Sequence, residues 1–164
     1  MRGNPKLYEI LENLNIEYGY MEHPEAPTIE IARQYWENDK AVHCKNIFFR
    51  NHKGNKHYLV IIEHQQRLDI ADLEKRLKQG KLTFASEKRL DKYLGVKPGS
   101  VTPYGLINDT EKHVVVFIDE NLANVDRISF HPCVNTASIS TSWSDFIKFL
   151  NHCGNTYHLL KLYD

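Results

Sequence analysis

Cysteine is scarce in this chain. Cys44, Cys133 and Cys153 are the three present, and with neither CxxC nor CxxxC spacing they offer no disulfide framework and no zinc ribbon. Three reduced thiols are the simplest expectation. No apolar run approaches the length of a bilayer span, and Met1 to Pro5 lack the apolar stretch of a secretory leader, so a cytosolic protein with no membrane partner is expected. An excess of one charge is missing too. The 21 basic residues balance 21 acidic ones, which argues against a large sequence-independent attraction to nucleic acid. The 9 histidines form no HxH, HxxxH or HExxH pattern with carboxylate support, so no metal is expected. A Walker loop, a nucleophile elbow and a strand-borne GxGxxG are all lacking, and no cofactor is implied.

What is present suits one folded domain. A chain of 164 residues is long enough to bury a core, and 41% hydrophobic residues set it far from the disordered class. Residues 1–164 are read as a single domain. Asn4 and Pro5 open a helix carrying Leu7, Ile10, Leu11 and Leu14, to about Asn15. Thr28 caps a second, with Ile31, Ala32, Tyr35 and Trp36. The period then changes. Ile47–Phe49 and Tyr58–Ile62 read as a hairpin about the turn 51–55. Asp69 caps a helix through Leu77 ended by Gly80, and Ser86 another ended by Gly95. Val114–Ile118 reads as a strand buried on both faces, followed by strands at 127–130 and 136–140. Ser142 and Asp145 resemble a capping box for a last helix stopped near Gly154. Hairpins mixed with helices predict one α+β domain on a mixed, mostly antiparallel sheet flanked by helices.

Three phrases carry the chemistry. Between Gly95 and Asp109, three glycines permit close backbone approach while Pro98 and Pro103 stiffen the turns, which suits a loop offering amides to an anionic or ester ligand, or a mere connection. In Ala41–Phe49, Lys45 precedes an apolar run; it is either an exposed lysine at a strand entrance or one drawn toward a cleft with a partner or ligand nearby. Asn46 could bond beside it or cap the turn. His43 and Cys44 are adjacent and, on an extended chain, point to opposite faces, so a thiol nucleophile with that histidine is disfavoured. In Ser129–Ala137, His131 stands before Pro132 with its backbone held extended and its ring direction fixed; it walls a pocket or packs a turn, and His23-Pro24 makes a similar pair. Basic residues gather at His52, Lys53, Lys56 and His57 and again at Lys88, Arg89 and Lys92, runs that read as solvated faces.

Taken in order, the Glu22-His-Pro segment, His43–Asn46, Phe84–Leu90, Gly95–Pro103 and Phe130–Thr136 resemble the aminoacyl-tRNA deacylases of the prolyl-tRNA synthetase editing-domain group, the YbaK/ProX-like family, over nearly the whole chain. Within it the chain is similar to the free-standing alanyl-tRNA(Pro) deacylases. The resemblance implies hydrolysis of mischarged tRNA with the acceptor end of tRNA(Pro) as partner, and raises prolyl-tRNA synthetase as another. It implies that Lys45 matches the family's essential lysine and Asn46 the asparagine after it. Gly99, Ser100, Val101, Thr102 and Pro103 match its GxxxP loop, with Gly99 approaching the ester; His131 matches the histidine walling the amino-acid pocket, and Thr28 and Ile29 fall where its other side closes. Pro27 stands where relatives carry a larger residue, and Cys133 lies at a variable position. Another mischarged residue such as Cys-tRNA(Pro), or a non-catalytic tRNA-binding or regulatory protein, are the alternatives.

Overall fold

The computed structural model describes residues 1–25 and 40–164. The expected helix from Thr28, together with Pro27, Thr28 and Ile29, lies outside the described residues. Helix α1 (Pro5–Asn13) starts where the side chain of Asn4 accepts from the Lys6 amide, and buries Leu7, Tyr8 and Leu11. Strand β1 is Gly19–Glu22, β2 Val42–Arg50 and β3 His57–Glu63. Strand β2 begins five residues before the apolar run, so Lys45 stands within the strand and not at its entrance. Helix α2 (Ile70–Leu77) is capped by Asp69; it closes at Lys78, left-handed at φ 56°, two residues before the glycine that sequence assigned as its stop. Strand β4 is Thr83–Phe84, and α3 (Glu87–Leu94) runs from the Ser86 cap to Gly95.

A 3-10 turn at Pro103–Asn108 leads to β5 (Val115–Asp119), β6 (Arg127–Phe130) and β7 (Ala137–Ser142). Helix α4 (Trp143–Cys153) starts where Ser142 Oγ accepts from the Asp145 amide, and the short β8 (Tyr157–Leu160) follows. The sheet order is β1-β7-β6-β2-β3-β5-β8, with β4 on β2. The β1–β7, β6–β7, β2–β3 and β2–β4 pairs are antiparallel and β2–β6, β3–β5 and β5–β8 parallel, the mixed sheet of an α+β fold.

Alternation assigns the faces. Phe48, Leu59, Ile61, Val116, Ile118, Ile128, Phe130 and Ile139 face a core shared with α1, α3 and α4. Ile47, Phe49, Tyr58, Val60, Ile62 and Phe117 face the other way, onto Leu73 and Leu77 of α2. The buried aliphatic side chains each contribute roughly 1.5–3 kcal/mol. Only the β3–β5 half of that second face is apolar. On β6 and β7 it carries Ser129, Ser138 and Ser140, register partners of His43, Met21 and Gly19 respectively.

At the far end of β2, buried His57 has Nδ1 2.9 Å from His113 Nε2 and Nε2 2.8 Å from an Arg89 Nη1, which also donates to Gly54 O at 2.9 Å. Arg89 can only donate, so His57 Nε2 accepts and its hydrogen sits on Nδ1. Burial, followed by repulsion from His113, Arg89, Lys92 and Arg50, lowers the His57 pKa to about 4. Its folded value lies below that of the unfolded chain, so its contribution to stability is whole above about pH 6.5 and is lost as pH falls toward 4. We expect the urea midpoint to fall across that window and to fall less in H57Q; equal pH dependence of the two proteins would exclude this assignment.

Candidate functional site

Two loops meet beside the polar half of the sheet. In the first, Lys97 O accepts from the Ser100 amide at 3.0 Å, a tight turn that needs Gly99 at φ 87°. A Cβ built there would lie 3.5 Å from Asn135 Nδ2 in the second loop, an ordinary contact with that side chain. Thr102, fully buried, donates from Oγ1 to His131 O at 2.7 Å and accepts from the Tyr104 amide at 3.2 Å. One hydroxyl thus starts the 3-10 turn and ties the Gly99–Pro103 loop to the end of β6. Pro103 opens that turn, and Tyr104 anchors it edge-on between Phe130 and Phe149, with ring centres 5.9 and 5.0 Å away. Gly105 is demanded by packing, since a Cβ would fall 2.7 Å from Leu94 O.

His131 Nδ1 lies 2.8 Å from Ala137 O. A carbonyl only accepts, so the ring hydrogen sits on Nδ1 and Nε2 keeps its lone pair. Burial holds this histidine below its ordinary pKa, against the Ala137 bond, which favours the charged ring. His23 stands next to it at 5.8 Å between ring centres. With His23 Nδ1 3.0 Å from Pro24 O, its Nε2 accepts from Ser138 Oγ at 2.8 Å.

Asn46, Ser129, His131 and Ser138 line one cavity of about 30 Å³, with His43, Cys44 and Phe130 completing the wall. Ser129 is 3% exposed, and its Oγ and the buried Asn46 Oδ1 have no hydrogen-bond partner among the described residues. Lys45 lies one residue away along β2, with side-chain parity that puts it on the face of His43 and Ser129. Its Nζ donates to Gln66 O at 2.8 Å in the turn after β3. One of its three N–H groups is used by that bond.

The structure therefore brings Asn46 and His131 to one cavity, ties the GxxxP loop to His131 through Thr102 without placing a loop residue in the cavity lining, and directs Lys45, also outside that lining, toward Gln66. Ser100 and Pro103 are buried and Val101 half-buried, so the loop's exposed backbone is at Pro98 and Gly99. Cys44, free and pushed well above the ordinary thiol pKa by burial and by Glu63 and Asp119, is a poor nucleophile. His23, Ser129 and Ser138 were not singled out as site residues from sequence. The local signal for the serines is their alternation with Ile and Phe along 128–130 and 138–140, and for His23 the His-Pro pair it shares with His131. Among the described residues no group of three or more His, Cys, Asp and Glu is arranged to hold a metal, and no helix is long and apolar enough to cross a membrane.

Residues 23–149 match the aminoacyl-tRNA editing domain family. The chain is 36% identical over 152 residues to the prolyl-tRNA editing protein ProX of Acetoanaerobium sticklandii, covering 93% of each. It is 33% identical to prolyl-tRNA synthetase associated domain-containing protein 1 of Danio rerio, covering 95% of this chain and 85% of that one. A solved structure described as a trans-editing-enzyme candidate for prolyl tRNA synthetase superposes with a TM-score of 0.67 at 20% identity, covering 98% of this chain and 99% of the other, a likeness of fold.

Replacing Thr102 by Val removes both bonds of its hydroxyl from a buried site, and should cost about 1–3 kcal/mol in a denaturant melt. A loss below about 0.5 kcal/mol would mean that the loop is held by packing alone.

Proposed function

The chain belongs to the aminoacyl-tRNA editing domain family, and from that premise we propose that residues 1–164 form one trans-editing domain that hydrolyses mischarged tRNA(Pro), with Ala-tRNA(Pro) as its main substrate, in the cytoplasm. The observation that carries the reading is the match over residues 23–149, spanning both loops and Lys45. Prolyl-tRNA synthetase, named in the relatives, is the partner from which such substrate would come.

The aminoacyl ester is already activated, so the site has to seat water and stabilise an oxyanion. The backbone amide of Gly99 suits the second task, since it carries no titrating group and the loop is held by Thr102. Lys45 keeps two N–H groups beyond its bond to Gln66 O, enough to hold a phosphate or ribose oxygen of the terminal adenosine. Asn46 adds a neutral polar group at the same seam. Selection falls to size. Favourable contacts to a methyl or a ring differ by only about 1–3 kcal/mol, whereas exclusion is stronger. His131, its ring locked by Ala137 O, supplies one wall; Thr28 and Ile29, which the family resemblance assigns to the other, lie outside the described residues.

Purified protein should deacylate Ala-tRNA(Pro) faster than Ser-, Cys- or Pro-tRNA(Pro). Preference for Cys-tRNA(Pro) would reassign the substrate, and binding without turnover would make the chain a non-catalytic homologue. Lys45→Ala should lower turnover about 100-fold with the thermal midpoint unchanged; retained full activity would remove the lysine from the site. His131→Ala should admit Pro-tRNA(Pro), and unaltered discrimination would reject the wall.

A further inference from the structure

Strand β2 reveals how a hydrolytic water could be held by side chains. β2 pairs with β6 through Val42 and His43, and with β4 through Phe49 and Arg50. Because β3 occupies the opposite edge from Cys44 to Arg50, β4 and β6 share one edge, and no described strand covers the stretch between them. The small cavity opens along that stretch. Its volume, about 30 Å³, is room enough for a water molecule. Two of its lining residues carry an atom, Ser129 Oγ and Asn46 Oδ1, that is buried and unpartnered among the described residues, though burying such a group without a bond costs about 1–3 kcal/mol. The hydroxyl of Ser138, another lining residue, is committed to His23 Nε2, whose tautomer Pro24 O fixes, so its oxygen keeps only acceptor capacity.

We propose that this cavity is the seat of the hydrolytic water, held by Ser129 and Asn46, with the His23–Ser138 pair as the positioning element behind it. The assignment rests on the deacylase reading above. Asn46 Oδ1 accepts one water hydrogen and Ser129 donates to the water oxygen or accepts its second hydrogen, which leaves an oxygen lone pair for the acyl carbon. The water oxygen bonds to that carbon, the bond from the carbon to the ribose oxygen breaks, and one water proton ends on the ribose hydroxyl. The free amino acid leaves as a carboxylic acid that releases its own proton to solvent. No group on the protein changes its net protonation.

The test fills the cavity. Ser129→Val places two methyl groups where the water would sit, and Ser129→Ala removes the hydroxyl but keeps the space. In single-turnover deacylation of Ala-tRNA(Pro), the first should be slower about 100-fold and the second about 10-fold, with the Kd for uncharged tRNA(Pro) unchanged in both. A crystal structure of the wild-type protein should show an ordered water within hydrogen-bond distance of Ser129 Oγ and Asn46 Oδ1, and one of the Val variant should lack it with the strands unmoved. Wild-type rates in a folded Ser129→Val protein would overturn the assignment. Should that variant fail to fold, an undiminished rate in Ser129→Ala together with a dry wild-type cavity overturns it. If the wild-type protein deacylates no aminoacyl-tRNA at all, the proposed function fails, while the crystallographic water still reports on the cavity.

Discussion

Strand β2 is held along one edge by β3 over seven residues, and along the other by β6 and β4 over two residues each. The unequal pairing constrains everything around the site. Where an edge loses its strand partner, the backbone polar groups must find loops, solvent or ligand, because leaving them buried and unpaired is costly. The chain answers at one end with Ala85, whose amide donates to Phe48 O at 2.9 Å. At the other it brings up the turn after β6. The cavity is what remains between them.

That seam also divides the second sheet face chemically. On the β3–β5 side Ile47, Val60, Ile62 and Phe117 are sealed by Leu73 and Leu77 of α2. On the β6–β7 side the same face carries Ser129, Ser138 and Ser140, all buried. Lys45 sits on the dividing line, with Ile62 opposite it in register. A lysine there can pack its stem while its head stays hydrated or bound. The bond to Gln66 O fixes the stem without neutralising the charge.

Local signals were legible because they act through neighbours in sequence. Asn4, Asp69, Ser86 and Ser142 each cap the helix that follows, since capping needs a hydroxyl or carbonyl within three residues of the amide it serves. The strands of strong β-branched character were found for the same reason. The four-residue β1, the two-residue β4 and the part-exposed β8 were not, because their pairing comes from partners and their own residues say little. Helix α2 ends on Lys78, where a left-handed lysine meets no steric bar that context cannot offset, ahead of the glycine that pattern favours. Of the site, Gly99 and His131 were visible as turn chemistry. The bonds that join them were not, because Thr102 reaches across 29 residues to His131 and His23 across 115 to Ser138.

The polar half-face is best understood as a cost accepted for chemistry. Serine at 129, 138 and 140 gives up the apolar burial that Val or Ile would gain at the same β positions, worth roughly 1–2 kcal/mol at each. Ser138 recovers part of this through His23, and Ser140 through Arg127, whose Nη2 donates to it at 3.1 Å. Ser129 recovers none among the described residues. A fold under selection for stability alone would replace it. On the proposed editing function there is a reason to keep it, because a hydroxyl already fixed in the wall before the substrate arrives needs no reorganisation to hold a water. The deficit at Ser129 and the stiffness of the Gly99–Pro103 loop are then two sides of one arrangement, in which strand and loop geometry fix polar groups in place before any ligand arrives.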